Sequence, residues 1–459
     1  MNDSIFREYD IRGIVTRDLT DDVVLNLGKA YGTLMAKRNH KIVNVGYDLR
    51  LSSAHLAEIY IKGILSTGLD VNSIGQVTTP TLYFSIVFLK SDGGVMITGS
   101  HNPIEFNGFK MCEGLGSVFG KDIQELKRLI HQNEFITAKP GQVRQVLVMP
   151  DYLKMLKSKF HFAKKLKVVV DAGNATAGPI APGLWQEMGM EVVPLYCEPD
   201  GSFPNHLPDP AVPKYMQGLI KKVLEEKADI GLAYDGDADR VGAVDEKGNL
   251  IFADTLLSLF CIDVLKRKPG AQILFDVKCS QAVPEIIKKH GGIPTMWKTG
   301  HSLLKAKMKE TKAVFAGEMS GHMFFADDYY GYDDGIYASG RLLEIVAGAN
   351  KPFSALVNEI PKFASSPEIR VHCADEEKFR VVAALVRDFS EKHHVIDIDG
   401  ARVEFGDGWG LVRASNTEPT LVLRFEAKTR EKLTEIINLF KEKLAKYPAV
   451  KFSDKEFTF

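Results

Sequence analysis

Residues 41 to 75 read KIVNVGYDLRLSSAHLAEIYIKGILSTGLDVNSIG: an apolar run, a polar turn at Asp48, an amphipathic stretch, a glycine and a second apolar run. Short apolar runs closed by turn residues fit strands, the longer stretch between them fits a helix, and together they predict a βαβ unit. The pattern returns in LKVVVDAGNATAGPIAPGLWQEMGMEVVPLY from Leu166 and in AQILFDVKCSQAVPEIIKKHGGIPTMWK from Ala271. The three first strands end at Asp48, Asp171 and Asp276. That separation, roughly 105 to 125 residues, is the size of a domain and far above the repeat length of a solenoid. Three α/β domains of related build are expected.

Downstream of each unit a further apolar run empties into an unusual loop: GGVMI into TGSHNP, ADIGLAY into DGDADR, and KAVFA into GEMSGH. Ligands of open α/β sheets gather at the carboxyl ends of strands, so the three loops are placed to line one cleft. After SSPE at 365–368 the style changes to IRVHC, a helical stretch from Glu376, VIDIDGARVEF with its Asp-Gly turn, WGLVRASNTEPTLVLRFEA and a closing helix. These predict a smaller C-terminal α+β domain with a fourth loop, RASNTEP. The expected fold is α/β, with three related domains plus this fourth, divided as 1–147, 148–249, 250–362 and 363–459.

The 459 residues carry a net charge of −1, with 45% hydrophobic and 25% charged side chains. This is the make-up of an ordinary soluble chain, with no global field to attract nucleic acid or anionic lipid. No stretch approaches the roughly 18 apolar residues of a membrane span, and MNDSIFREYD lacks the pattern of a secretory leader, so a cytoplasmic location is expected. Cys112, Cys197, Cys261, Cys279 and Cys373 are scattered, with no paired spacing for zinc. They read as reduced thiols used as small hydrophobic residues.

In TGSHNPIEFNGFK, residues 98–110, Gly99 allows a tight turn and Pro103 stiffens its exit, while His101, Asn102, Asn107 and Lys110 offer donors around an exposed Ser100. Such a loop holds an anion, or lets Ser100 carry one, or is a polar turn and nothing more. In DGDADR, Asp235, Asp237 and Asp239 alternate after a strand, and on an extended chain they point the same way, giving three hard oxygen donors suited to Mg²⁺. Counting from Asp235 places Glu246 at the twelfth position of a calcium-binding EF-hand loop, but Arg240 occupies the sixth, where that loop needs glycine. Arg240 beside a metal suits a phosphoryl group instead.

In GEMSGH, Glu318 and Ser320 suit vicinal hydroxyls and His322 is a candidate for proton exchange near neutral pH. RASNTEP sets Arg413, Ser415, Asn416 and Thr417 in one turn able to grip a phosphate. Lys278 and His301 add donors at strand ends of the third unit. A metal site, a serine, a hydroxyl reader and a phosphate holder describe phosphoryl transfer on a sugar phosphate. A serine hydrolase fits poorly: Thr98 and Asn102 stand where a nucleophile elbow has glycine.

TGSHNP, DGDADR, GEMSGH and RASNTEP, in this order and spacing, resemble the four signature loops of the α-D-phosphohexomutases, closest to the bacterial phosphomannomutase/phosphoglucomutase type. YDIRG at 9–13 and DGSFPNHLPDP at 200–210 extend the resemblance over nearly the whole chain. It implies four domains around a central active-site cleft, a phosphoryl group on Ser100, and Mg²⁺ held by Asp235, Asp237, Asp239 and the phosphoserine. It places Arg12, His101, Lys110 and Arg240 near the transferring group, Tyr9, His301, Glu318 and Ser320 on the substrate, and Lys278, Arg413, Ser415, Asn416 and Thr417 around its distal phosphate. The implied activity interconverts hexose 1- and 6-phosphates of mannose and glucose through a hexose 1,6-bisphosphate, with hexose phosphates as the only partners and no obligate protein partner. Two departures stand out: Gly99 and Ala238 occupy positions where relatives often have alanine and glycine. Relatives acting on the amino sugar typically carry glutamine where Met319 stands.

Overall fold

The computed structural model describes residues 1–415 and 419–459. Its first three sheets share one strand order. In the first, Asp70–Gln76, Ile42–Tyr47 and Gly93–Ile97 are parallel neighbours and Phe106–Glu113 returns antiparallel beside Gly93–Ile97. The second repeats this with Glu191–Leu195, Lys167–Asp171, Ile230–Tyr234 and the antiparallel Val241–Asp245. The third does so with Ile293–Trp297, Gln272–Asp276, Phe315–Gly317 and the antiparallel Met323–Phe325. TGSHNP, DGDADR and GEMSGH are therefore the same connection in three sheets: the turn from a parallel strand into its antiparallel return.

The parallel strands read as unbroken apolar runs because both faces are covered. Val168, Val169 and Val170 are all fully buried. Helices at helical apolar spacing supply the cover, as in Asp21–Lys37, which buries Val24, Leu27, Tyr31 and Leu34 on the first sheet. The first sheet has two additions, Ile11–Ile14 beside Phe106–Glu113 and Val143–Gln145 beside Asp70–Gln76. The second ends in Leu250–Ile251, two residues beyond the expected limit at 249, because that strand pairs with Ala243 and Val244.

The C-terminal sheet is antiparallel throughout its main path, with Gly408–Ala414 and Thr420–Ala427 at its centre and the helices Asp375–Ser390 and Arg430–Leu444 packed on it. It docks on the third unit through buried arginines. Arg402 Nη1 donates to the carbonyls of Val277 at 2.7 Å and Cys279 at 2.9 Å, and Arg424 pairs with Asp254 at 2.9 Å.

Candidate active site

The aspartates that end the first strands are structural keystones. Asp48 accepts from the Thr98 hydroxyl at 2.7 Å and the Gly99 amide at 3.3 Å. Asp276 accepts from the Met319 amide at 3.3 Å and from the Cys279 thiol at 2.9 Å. Cys279 is thus a donor as well as an apolar residue. In the second unit the loop is held differently: Thr176 donates to the Gly236 carbonyl at 2.7 Å, and Asp171 faces His206 at 3.1 Å.

Ser100 is not exposed, contrary to the sequence reading; it retains 1% of its accessible surface. The second unit covers it. Its hydroxyl donates to Asp235 at 2.7 Å, and a Cβ on Gly236 would stand 2.2 Å from the Ser100 carbonyl, so only glycine permits this approach. Ser100 also sits at φ 47°, a left-handed conformation unusual for a residue with a side chain.

The three aspartates converge, but by a turn rather than an extended run. The Ala238 amide donates to the Asp235 carbonyl at 3.1 Å and Ala238 lies at φ 62°, where glycine is the easier residue. One carboxylate oxygen from each aspartate lies within 4.8 Å of the others, and all three residues are fully buried. Lys110 reaches in from the first sheet to donate to Asp237 at 2.7 Å and to Asp239, and Thr79 donates to Asp237 at 2.5 Å. Asp237 Oδ1 has no hydrogen-bond partner among the described residues, and Asp239 Oδ1 faces only the His322 imidazole, 3.3 Å away.

Burial and the Asp239 and Asp237 charges push the Asp235 carboxyl well above the usual carboxylate range. Burial opposes ionisation of Asp237 and Asp239 too, but Lys110 outweighs it and holds both below that range. An unpartnered buried oxygen on Asp237 and a carboxylate reluctant to ionise are what a divalent cation would satisfy, and a set of hard oxygen donors fits Mg²⁺.

GEMSGH closes the other side. The Val241 amide donates to the Gly321 carbonyl at 3.2 Å, and Arg240 Nε lies 3.3 Å from His322 Nε2. His322 Nδ1 faces Glu318 at 2.9 Å and Ser320 at 2.8 Å, and its Nε2 lies 3.3 Å from Asp239. Burial alone would lower this imidazole, but Asp239 and Glu318 raise it to about 9. It holds its proton at neutral pH rather than exchanging there. His101 faces Asp209 at 2.9 Å, yet burial and Arg240 push it down to about 4. Arg12 joins the serine loop through Asn102 at 2.5 Å and pairs with Asp10 at 2.7 Å. Tyr9 packs edge-on to His301 at 6.1 Å, and the His301 and His322 rings stack at 5.5 Å.

Lys278 and Arg413 gather separately, at the junction of the third and fourth units. Lys278 pairs with Glu368 and Arg413 Nε with Asp399, each at 3.0 Å, while Arg413 Nη2 is buried without a partner among the described residues. The Ser415 amide donates to the Thr420 carbonyl at 3.0 Å. Asn416 and Thr417 lie outside the described residues.

The sequence reading missed several partners. Asp333 is fully buried 3.5 Å from His301 and 3.3 Å from Lys305, with no hydrogen bond to either carboxylate oxygen. Asp209, Glu368 and Asp399 set the cations already named. Asp209 stood inside DGSFPNHLPDP, Asp399 in the Asp-Gly turn of VIDIDGARVEF and Glu368 at the end of SSPE, but none was read as a partner of these cations.

Family models for phosphoglucomutase/phosphomannomutase match all four units: the α/β/α domains I, II and III at residues 3–137, 150–248 and 253–363, and the C-terminal domain at 368–443. The chain belongs to this family. It is 47% identical to a phosphomannomutase/phosphoglucomutase of Pseudomonas aeruginosa over 96% of this chain and 95% of that one. A phosphoglucomutase of Neisseria meningitidis is 44% identical over 97% of each. A crystal structure of a phosphoglucomutase/phosphomannomutase family protein from Burkholderia thailandensis superposes with a TM-score of 0.93 at 42% identity, covering 98% of this chain and all of that one. Family membership accounts for the four loops as a set. DGDADR lies between paired strands, as its failed match to an EF-hand required.

Proposed function

We propose that this phosphohexomutase-family chain interconverts hexose 1-phosphate and hexose 6-phosphate, of mannose and of glucose, through a phosphoserine at Ser100 and a hexose 1,6-bisphosphate. The observation that carries the reading is the Ser100 hydroxyl, 2.7 Å from Asp235 in a fully buried carboxylate triad whose Asp237 keeps an unpartnered oxygen. Phosphoserine supplies the phosphoryl group to a sugar hydroxyl, the bisphosphate turns in the cleft, and the phosphoryl group from the other end returns to serine. Each half-reaction breaks one P–O bond and forms one, and the sugar hydroxyl's proton passes to a nearby base.

Asp235, Asp237, Asp239 and the phosphoserine would hold Mg²⁺, which neutralises charge on the transferring group when bound. Arg12, Lys110 and Arg240 are fixed cations near it. His101, held by Asp209, orients the loop, and His322, protonated at neutral pH, donates to an oxygen of the sugar or phosphate. Tyr9, His301, Glu318 and Ser320 would meet the sugar, while Lys278, Arg413 and Ser415, with Asn416 and Thr417, would take the distal phosphate. The four units, the second carried on to Ile251, then each contribute one loop.

Among the described residues no helix is long and apolar enough to cross a membrane. A cytoplasmic enzyme acting on hexose phosphates, without nucleic acid, membrane or obligate protein partner, suits this and the charge of −1. Conversion of glucose 1-phosphate to glucose 6-phosphate by purified protein with Mg²⁺ and a trace of glucose 1,6-bisphosphate tests the reading; no conversion contradicts it.

Arg413→Ala is expected to raise KM for glucose 1-phosphate strongly. Its unpartnered Nη2 is available to a phosphate, and loss of a desolvated charged contact costs about 2 to 4 kcal/mol. Steady-state kinetics check this; an unchanged KM would remove Arg413 from the phosphate site.

Mannose and glucose phosphates should both serve, with kcat/KM values within about tenfold, since a site that binds its bisphosphate in two orientations cannot read every hydroxyl strictly. Met319 Sδ lies 3.0 Å from Arg424 and offers no amide to an amino sugar. Glucosamine 1-phosphate should therefore be the poorest of the three, and a kcat/KM for it above both others would overturn the sugar assignment alone.

A further inference from the structure

Arg50, in the loop after the first unit's strand Ile42–Tyr47, keeps 3% of its accessible surface. Its guanidinium is surrounded by carbonyls of the loop that carries Ser100. Nη2 donates to Ser100 at 2.8 Å and Asn102 at 2.6 Å, and Nη1 to Pro103 at 2.8 Å and Phe106 at 3.0 Å. Four carbonyls of one loop converge on one cation. Behind it, Asp48, which also takes the Thr98 hydroxyl and the Gly99 amide, lies 3.5 Å from Arg50 Nε. The ring of Phe203, from the second unit, lies 5.2 Å from the guanidinium.

Two features tie this arrangement to the position of Ser100. The serine's left-handed φ of 47° costs an L residue about 1 kcal/mol or more, and such a conformation persists only where surrounding contacts impose it. Arg50 supplies one at the Ser100 carbonyl itself. Gly99 is the second feature. Its φ lies outside the left-handed region, so the backbone there accepts alanine, but a Cβ would stand 2.5 Å from Arg50 Cζ and Nε. The guanidinium occupies the space of the missing side chain.

We propose that Arg50 is a positioning residue for phosphoryl transfer, fixing the backbone of residues 100–106 so that Ser100 Oγ is held against the aspartate triad. The proposal rests on the reading of Ser100 as the phosphoryl carrier. Lysine cannot substitute: its ammonium has three donors and no planar fork to span four carbonyls.

The test compares Arg50→Lys and Arg50→Gln in the full chain. It reads kcat and KM for glucose 1-phosphate, thermal unfolding, and uptake of a phosphoryl group on Ser100 from glucose 1,6-bisphosphate by intact mass. Arg50→Lys should lower kcat and the uptake rate about 100-fold, the size expected for a reacting atom displaced by about 1 Å, with KM within about threefold because the substrate grip lies elsewhere. Arg50→Gln, whose neutral amide carries two donors and no fork, should lower both rates at least as far.

Wild-type rates in Arg50→Lys would overturn the assignment. If Arg50→Lys does not fold, Arg50→Gln decides alone: full activity overturns the proposal, and lost kcat at unchanged KM and unfolding temperature upholds it. A wild-type protein that neither takes up the phosphoryl group nor turns over removes the phosphoserine reading and this proposal with it, whereas an active wild type beside an equally active Arg50→Lys removes this proposal alone.

Discussion

Ser100→Ala is expected to lower kcat at least about 10³-fold, because an enzyme that loses its covalent carrier keeps binding but not the positioned donor. The fold should survive. The change removes one hydrogen bond to Asp235, a loss of about 1 kcal/mol in net terms, and leaves the left-handed backbone of residue 100 in place. Ser100→Gly separates chemistry from strain, since glycine accepts φ 47° freely and should be as inactive as alanine while unfolding no earlier. Steady-state assay with intact mass checks both variants. Turnover within tenfold of wild type in either would dispose of the covalent mechanism.

Asp237→Asn is the second large effect, about 10²- to 10³-fold in kcat at saturating hexose phosphate and low Mg²⁺, partly restored as Mg²⁺ rises. The argument is electrostatic. Asp237 is one of three fully buried carboxylates, and its charge helps push Asp235 upward. Neutralising it relieves that repulsion, so Asp235 ionises more readily, while loss of the buried pair with Lys110 offsets part of that gain. What is lost is one hard anionic donor out of three, so the Mg²⁺ concentration at half-activation should rise. Activity titrations with Mg²⁺, alongside EDTA-treated wild type, measure this. An unchanged Mg²⁺ dependence, or wild type fully active in EDTA, would contradict the metal assignment.

Much of the fold was legible because the three βαβ units state their period openly. Asp48, Asp171 and Asp276 close their strands where expected, and the shared strand order explains why three dissimilar loops occupy equivalent places. What the sequence could not supply was contact between units. Ser100 read as exposed because nothing in TGSHNP shows that Gly236, over a hundred residues on, closes over its carbonyl. The aspartates were expected to converge on an extended chain, whereas a turn through Ala238 at φ 62° brings them together.

His322 read as a near-neutral proton exchanger because a histidine's ordinary range is near neutral; Asp239 and Glu318, which raise it to about 9, come from two different units. Asp333 and Arg50 carried no motif. One is a carboxylate in an ordinary YDDG turn and the other a lone arginine after a strand, and only folding puts the first against His301 and the second inside the serine loop.

The most direct test of the phosphoserine account follows one phosphoryl group. Protein charged on Ser100 with isotopically labelled phosphate from glucose 1,6-bisphosphate is mixed with unlabelled glucose 1-phosphate and stopped within the first turnovers. If serine gives its phosphoryl group to O6 and regains the one from O1, the label appears in glucose 6-phosphate and the protein carries unlabelled phosphate. Formation of unlabelled glucose 6-phosphate while the label stays on the protein, or its release as inorganic phosphate, would contradict the account.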